Sequence, residues 1–241
     1  MRILMLIVAA LAGLVGFAAP APAQLIETLR PKPADVNDKE NLLYLDLSTG
    51  GRVVIWLRPD VAPKTVERIK LLTRQHFYDG LKFHRVIDGF MAQSGDPKGD
   101  GTGSSDLPDL KAEFNYLPHV RGAVSAARAK DENSANSQFF IVFEPNLRLD
   151  NKYTVFGRVI AGMEYVDAVE RGEPPANPST IEHAWIAADN PPGYAPAPPA
   201  AAAADLGPAV TLPGAAPQPA ALPQAPNPPS TKPAPKPRVR R

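Results

Sequence analysis

Apolar and polar residues alternate along several short stretches in the middle of the chain, and this period of two is typical of half-buried β-strands. The clearest pair lies at 43–47 and 52–57, on either side of the turn-forming residues 48–51, and predicts a hairpin. Six further strands are predicted at 81–87, 91–94, 123–127, 138–142, 154–160 and 181–187. So many short strands indicate a fold that is mainly β.

Two helices are predicted between these strands. Pro63 suits the first position of a helix that runs to about Gln75, because its fixed φ fits the first turn and its missing N–H is not needed there. The apolar residues available for the inner face of this helix are Val66, Ile69, Leu71 and Leu72. A second helix is predicted at 163–170, stopped by Gly172. Short strands with two helices indicate a barrel or a sandwich and argue against a doubly wound sheet.

The periodic apolar pattern is confined to residues 42–189, which we interpret as one domain. Residues 24–41 are polar and interrupted by Pro31 and Pro33, which predicts an extended lead-in. Residues 190–241 hold 16 of the 29 prolines and little beyond proline and alanine. Such a segment cannot bury enough apolar surface to offset its ordering entropy, so we expect a disordered tail with polyproline II character.

Residues 1–23 carry the features of a secretory signal. Arg2 precedes an apolar run at 3–19, and Ala21 and Ala23 form a small-x-small cleavage site, so we expect cleavage after Ala23. The alternative is an uncleaved membrane anchor, although the run is at the short limit for spanning a bilayer. The chain has no cysteine, which suits an oxidising compartment. We therefore expect a periplasmic protein, with secretion into the medium as the alternative.

Charge and composition exclude several kinds of function. Lys and Arg number 26 against 25 Asp and Glu, so no overall positive field predicts a nucleic-acid partner. The absence of cysteine excludes disulfide frameworks and zinc–thiolate sites. The four histidines lack the spacing of a metal motif, and Ser94 does not lie in a G-x-S-x-G motif. We therefore expect no metal, no cofactor and no covalent intermediate.

The glycine-rich segment 99–103 imitates two ligand-binding loops but fits neither. A dinucleotide-binding motif must open an apolar helix, whereas Pro108 follows closely here. A calcium loop beginning at Asp96 would place Lys98 at a ligand position and Leu107 where a bidentate Glu is required. A surface loop is the better interpretation.

Two blocks of sequence carry a family resemblance. Residues 83–96, which begin Phe-His-Arg-Val, closely resemble the active-site signature of the cyclophilins, and 136–141 resemble their second signature. Residues 122–129 and 149–157 extend the similarity, which runs in order from about 42 to 187. The resemblance implies a closed eight-stranded antiparallel barrel capped by two helices. It also implies a peptidyl-prolyl cis/trans isomerase that binds proline-containing polypeptides in a shallow groove, and we expect it to be a monomer.

The resemblance also implies roles for individual residues. Arg85 corresponds to the catalytic arginine and Gln93 to a polar contact of the catalytic centre. The residues implied to bind substrate are, in the proline pocket, Phe90, Met91, Phe140 and Leu149, and along the groove Gly101, Ala127, Arg128, Ala129, Gln138 and Tyr153. Arg128 would act partly through its backbone. Phe83, Val86, Phe139 and Ile141 are interpreted as core residues, and His84 as a hydrogen-bonded structural histidine.

The residue types suit this chemistry. An X-Pro bond resists rotation by about 18–20 kcal/mol because the nitrogen lone pair is delocalised into the carbonyl. In the twisted transition state the lone pair returns to the nitrogen, so a donor aimed at that atom stabilises the transition state more than either planar form. Arginine stays charged and offers several N–H groups on a rigid plane.

Three positions depart from the family pattern. Arg148 stands where many members have a tryptophan that helps bind cyclosporin, which calls sensitivity to that drug into question. Arg128 replaces a common asparagine, and Tyr153 stands where many members have a histidine. Because a histidine, the residue type that titrates near neutrality, is absent from this position, we expect activity to be roughly flat between pH 6 and 8.

Two alternatives and two hypotheses about the tail stay open. The domain could bind proline-containing peptides without catalysis, or the chain could serve as an envelope spacer. One hypothesis is weak contact of the basic end, which carries five cationic residues within 232–241, with an anionic envelope surface. The other is that pairs such as Ala195-Pro196 and Gly207-Pro208 occupy the chain's own groove.

Overall fold

The computed structural model describes residues 30–194. The predictions of a signal sequence at 1–23 and of a Pro/Ala-rich tail fall outside the described residues, apart from the first few residues of the tail at 190–194. The lead-in is described from residue 30 and ends in a short 3-10 helix at Lys39–Asn41, next to the first strand.

Eight strands form one antiparallel sheet within the described residues. Their bounds are β1 Leu42–Leu47, β2 Gly51–Leu57, β3 Arg85–Ile87, β4 Met91–Ser94, β5 Ala123–Ala126, β6 Phe139–Val142, β7 Val155–Ala161 and β8 Ile181–Ile186. The strand order across the sheet is β3-β4-β6-β5-β7-β2-β1-β8. The sheet is curled into a half-barrel, and the prediction of a mainly β fold with eight antiparallel strands is confirmed.

The ladder does not run continuously around a closed barrel in the part of the chain described here. Strands β3 and β8 form the two edges of the sheet. Residues just before these strands connect the edges: Lys82 forms an isolated bridge with Thr180, and the Phe83 N–H donates to the Ser179 carbonyl at 2.8 Å. This contact also explains why β3 is shorter than the predicted strand at 81–87. Residues 81–83 pair toward β8 and not toward β4.

The predicted hairpin of β1 and β2 is present, with Leu47 paired to Gly51 at its turn. Leu43 pairs with Ile55 and Leu45 with Val53, and all four side chains are almost completely buried. Alternate residues of both strands therefore face the core, as their period of two predicts.

The first helix, α1, spans Pro63–Arg74. Its first free N–H groups, at Lys64 and Thr65, donate to the carboxylate of Glu113, which stabilises the start of the helix. Val66, Ile69 and Leu72 are buried as predicted, but the assignment of Leu71 to the inner face was wrong, since Leu71 is 43% exposed. At 100° per residue Leu71 lies about 140° around the helix from Val66, and Thr73 takes a buried position near the end of α1.

The second helix, α2, spans Met163–Asp167 and is shorter than predicted. The guanidinium of Arg171 donates to the carbonyls of Asp167 and Val169, at 2.8 and 2.6 Å. These carbonyls are thereby satisfied by a side chain, which replaces the further helical turns that were expected.

The side chains of β6 point alternately to the inner and the outer face of the sheet. Phe139 and Ile141 point into the main core, together with Phe83 and Val86, so all four predicted core residues are confirmed. The intervening residues of β6 point the other way, into a second apolar cluster that consists of Met91, Ala123, Ala127, Phe140, Val142 and Val155. This second cluster forms the floor of the candidate site.

Two further observations apply to residues 30–194. Neither helix there has the length and apolar character that crossing a bilayer requires. These residues also hold no group of three or more His, Asp or Glu side chains placed to bind a metal ion.

Candidate active site

An open cavity of about 240 Å³ lies over the second apolar cluster. Its lining residues are Arg85, Phe90, Met91, Gln93, Ala127, Arg128, Phe140, Leu149 and Tyr153, and every one belongs to the set predicted from the sequence. A second cavity of about 280 Å³ shares Gln93, Ala127 and Arg128 with it and adds Gly101, Ala129 and Gln138. The structure thus brings all twelve predicted site residues together in one continuous groove.

Strand register explains how the polar and apolar parts of the groove meet. Arg85 on β3 pairs with Gln93 on β4, and Gln93 pairs with Phe140 on β6. Directly paired residues point to the same face of a sheet, so these three side chains form one row across three strands. The row carries a cation, an amide and an aromatic ring in that order.

The apolar part of the cavity is held by aromatic contacts. The ring of Phe140 meets Tyr153 edge to face at a centroid distance of 5.8 Å, and it stacks on His119 at 6.1 Å. Phe90, Leu149 and Tyr153 are partly buried against the second cluster. These contacts give the cavity an apolar, partly aromatic wall beside the second cluster.

His119 is a structural residue of the site that the sequence reasoning did not identify. Its ring is fully buried, with Nδ1 at 2.8 Å from Asp150 Oδ1 and Nε2 at 3.1 Å from the Ser125 hydroxyl. Burial lowers the pKa of His119, although Asp150 opposes the shift. The carboxylate of Asp150 can only accept, so Nδ1 is the donor in that contact, and the Ser125 hydroxyl donates in turn to the carbonyl of Thr154 at 2.9 Å. Since Asp150 lies 31 residues away in the chain, no local pattern indicates this network.

The glycine-rich loop is organised by Asp96. This carboxylate is buried and accepts backbone N–H bonds from Lys98 at 2.8 Å and from Gly101 at 2.6 Å, besides a longer one from Asp100. Burial by itself would raise the pKa of Asp96, but the backbone N–H groups outweigh it and hold that pKa below its usual range. The residue that imitated the start of a calcium loop therefore binds its own backbone and shapes one side of the groove.

Two glutamines connect this loop to the strands. Gln93 Nε2 donates to Gln138 Oε1 at 2.8 Å, and Gln138 Nε2 donates to the carbonyl of Gly103 at 2.7 Å and to that of Gly101 at 3.1 Å. The amide of Gln93 is thereby fixed beside the cavity that it lines.

Arg128 uses its side chain as well as its backbone. Its guanidinium lies over the ring of Tyr153 and donates from Nη2 to the carbonyl of Lys152 at 3.0 Å. The side chain of Arg128 therefore lies between the two cavities and lines both. The sequence had predicted a role partly through its backbone.

His84, beside Arg85 in the chain, is buried but differs from the prediction. Neither of its ring nitrogens has a hydrogen-bond partner among residues 30–194, so the expectation of a hydrogen-bonded histidine was wrong. Burial lowers the pKa of His84, opposed by the carboxylates of Asp96 and Asp100. The ring stays neutral at pH 7, which agrees with a structural role and not with acid–base chemistry.

Arg85 itself is partly exposed and lines the cavity. Its Nε donates to Glu173 Oε2 at 2.7 Å. Glu173 was not identified from the sequence, because it lies 88 residues away in a loop between α2 and β8. The groove thus combines an apolar floor, a fixed amide and a fixed cation, and its lining residues include no Ser or Cys beside a histidine base.

Known proteins resemble this chain over the region that forms the groove. The family model of cyclophilin-type peptidyl-prolyl cis-trans isomerases matches residues 44–186. A probable peptidyl-prolyl cis-trans isomerase of Brucella suis is 47% identical over 172 residues, covering 65% of this chain and 87% of that protein. Peptidyl-prolyl cis-trans isomerase B of Bacillus subtilis is 42% identical over 132 residues, covering 54% of this chain and 91% of its own length.

Solved structures give the same result. A cyclophilin from Hirschia baltica superposes with a TM-score of 0.59 at 28% identity, covering 70% of this chain and 81% of that one. A cyclophilin-type isomerase of Cryptosporidium parvum, crystallised in the presence of the dipeptide Ala-Pro, superposes with a TM-score of 0.57 at 26% identity, covering 60% and 98%. The chain belongs to the cyclophilin family. It is a peptidyl-prolyl cis-trans isomerase, EC 5.2.1.8.

Proposed function

We propose that Arg85 accelerates rotation about X-Pro bonds by donating a hydrogen bond to the prolyl nitrogen in the twisted transition state. The observation that carries this proposal is the shared cavity, in which Arg85 lies at the polar end of a pocket whose walls are Phe90, Met91, Phe140 and Leu149. A proline ring held in the apolar pocket brings its nitrogen toward the guanidinium. One preorganised donor of this kind stabilises a transition state by about 3–4 kcal/mol.

The remaining groove residues hold the flanking peptide. The fixed amide of Gln93 offers hydrogen bonds to peptide groups beside the proline, and Gly101 and Ala127 line the adjoining part of the groove. Rotation is then confined to one bond, because both the ring and its neighbours are held. Support comes also from the Cryptosporidium parvum relative, whose crystal structure was obtained in the presence of the dipeptide Ala-Pro. Proline-containing segments of flexible polypeptides are the substrates that this groove suits.

The test is cis/trans exchange in an Ala-Pro peptide, measured by two-dimensional NMR with the chain 24–241 and its Arg85→Ala variant. The proposal predicts accelerated exchange that the substitution removes while the peptide still binds. Equal exchange rates in the two proteins would overturn the assigned role of Arg85 and leave the reaction class untouched.

We propose further that the polypeptides served by this enzyme are exported ones. The support is the arrangement of Arg2, the apolar run 3–19 and the small residues at Ala21 and Ala23, together with the absence of cysteine. N-terminal sequencing of protein recovered from the periplasm of a Gram-negative host tests this. A first residue of Gln24 supports export with cleavage. An intact residue 1 in the cytoplasmic fraction would contradict it, and an intact residue 1 in the membrane fraction would establish the uncleaved anchor.

A further inference from the structure

The side chain of Glu173 meets Arg85 at one particular nitrogen. Glu173 Oε2 accepts from Nε, the inner nitrogen of the guanidinium, at 2.7 Å. The two outer amino groups of an arginine carry four of its five N–H donors. A carboxylate on Nε therefore restrains the guanidinium plane and leaves those outer groups for the cavity that Arg85 lines.

The backbone around Glu173 is built to hold it there. Val86, the neighbour of Arg85, exchanges two backbone hydrogen bonds with Gly172, the neighbour of Glu173, each 2.8 Å long. Arg85 and Glu173 therefore each lie next to one of the two residues that form this small antiparallel bridge. The backbone hydrogen bonds of the bridge, and not only the ion pair itself, therefore keep the two side chains close together.

Gly172 makes this bridge possible. Its φ of +148° lies in the region that favours glycine, and a Cβ at this position would come within 2.6 Å of the Cα of Pro175. The preceding residue, Arg171, is anchored by its hydrogen bonds to the carbonyls of Asp167 and Val169. Both sides of Glu173 are therefore fixed, by an anchored arginine before it and by the two prolines at 174 and 175 after it.

The restraint matters because Arg85 has little else to hold it. Its side chain is 42% exposed, and a long exposed arginine samples many rotamers. A donor stabilises the pyramidal nitrogen only within a narrow range of positions, so a mobile side chain is a less effective donor. Misplacement by about 1 Å can lower the rate by as much as about 100-fold.

We propose that Glu173 is a positioning residue of this isomerase, which acts on the reaction by orienting the guanidinium of Arg85 through the Nε hydrogen bond. This inference rests on the role proposed for Arg85. It concerns the rate of isomerisation and not the affinity for peptide. It also predicts that an amide, which still offers an oxygen to Nε, serves nearly as well as the carboxylate.

The test is a double-mutant cycle on the chain 24–241, with exchange in an Ala-Pro peptide and peptide Kd measured separately by NMR. The variants are Glu173→Ala, Glu173→Gln, Arg85→Ala and the double variant Arg85→Ala/Glu173→Ala. The matched control is Glu67→Ala, which removes another exposed glutamate that pairs with a cation at 2.9 Å, on α1. Exposed ion pairs contribute little to stability, so all five variants should fold.

We expect Glu173→Ala to lower the exchange rate at saturation by about 5- to 20-fold, with Kd changed less than about 2-fold. Glu173→Gln should keep at least about half of the activity, and Glu67→Ala all of it. Adding Glu173→Ala to Arg85→Ala should cause no further loss, since the carboxylate acts only through the guanidinium.

Three results would overturn the inference while leaving the role of Arg85 intact: no loss in Glu173→Ala, an equal further loss in the double variant, or a weakened Kd at an unchanged rate. Equal losses in Glu173→Gln and Glu173→Ala would likewise refute positioning through the hydrogen bond. An unchanged rate in Arg85→Ala would instead remove the proposed role of Arg85, and with it this inference.

Discussion

The guanidinium of Arg128 lies over the aromatic ring of Tyr153, with 4.5 Å between its central carbon and the ring centroid. These are two of the three positions at which the chain departs from the residues common in its family, and the structure shows that the two contact each other. The pair closes one end of the apolar cavity, because Tyr153 also meets Phe140 edge to face. Two substitutions that look independent in the sequence therefore form one wall of the groove.

Removing the ring of Tyr153 should weaken peptide binding. Tyr153→Ala deletes an aromatic contact worth roughly 1 kcal/mol and opens the cavity, so Kd for an Ala-Pro peptide should rise at least about 5-fold. Tyr153→Phe keeps the ring and should stay within about 2-fold of the parent. NMR titration measures both.

Tyr116→Ala is the matched control, because the ring of Tyr116 also lies under an arginine, Arg30, but outside the groove residues. Equal weakening in Tyr116→Ala, or none in Tyr153→Ala, would show that the wall formed by Arg128 and Tyr153 does not hold the peptide.

Activity should change little between pH 6 and 8. Burial lowers the pKa of both His84 and His119, which disfavours their charged forms, and neither ring is among the residues that line the cavity around Phe140. The proposed mechanism also transfers no proton, and Arg85 stays charged. Exchange rates at saturating enzyme, measured at pH 6, 7 and 8, check this expectation. A steep change that disappears in His84→Gln would contradict it.

Stability, in contrast, should depend on pH below neutrality. The unfolded chain binds a proton at His84 and His119 near the usual histidine pKa of about 6.5, whereas the folded protein has lowered pKa values at both positions. The stability from these neutral rings is present above about pH 6.5 and is lost as the pH falls through the folded pKa values.

Urea unfolding at pH 5, 6, 7 and 8 should therefore show a free energy of unfolding that is flat above about pH 7 and declines below it. His119→Gln should be less stable at pH 7 and should show a shallower decline. A parent protein with equal stability at pH 5 and pH 8 would contradict this reading of the two buried rings.

Asp96→Asn should disturb the glycine-rich loop. An amide offers one acceptor oxygen where the carboxylate serves Lys98, Asp100 and Gly101, and it turns an N–H₂ group toward other donors. Hydrogen bonds to a buried charge are worth about 1.5–3 kcal/mol, so the free energy of unfolding in urea should fall by about that amount. Exposed Asp106→Asn should leave it unchanged. A loss below about 0.5 kcal/mol for Asp96→Asn would show that the loop does not depend on the carboxylate.

The sequence predicts well those features that depend on neighbours in the chain. The alternating pattern of β1 and β2 sets which of their side chains are buried. The core residues Phe139 and Ile141 could be recognised because they lie in an apolar, strand-like run. Position in the two signature blocks, and in the segments 122–129 and 149–157 that extend the similarity, indicated every residue that lines the cavity around Phe140. Leu71 was placed wrongly because apolar character alone does not state on which face of a helix a residue lies.

Features that depend on distant pairs were beyond the reach of sequence reasoning. Glu173 and Arg85 are 88 residues apart, and His119 and Asp150 are 31 apart. Each contact depends on a backbone register that only the folded sheet establishes. The same holds for the two edges of the sheet, which are joined by an isolated bridge between Lys82 and Thr180 and not by a continuous ladder of hydrogen bonds.

The most direct test of the central claim is the separation of rate from affinity in Arg85→Ala. The exchange rate of an Ala-Pro peptide at saturation and its Kd are measured for the parent chain 24–241 and for the variant. The proposed mechanism predicts an exchange rate at least about 100-fold lower, with Kd within a few-fold of the parent, because the lost donor acts in the transition state. A variant that keeps the parent exchange rate and only binds peptide more weakly would contradict the claim, and would make Arg85 a binding residue.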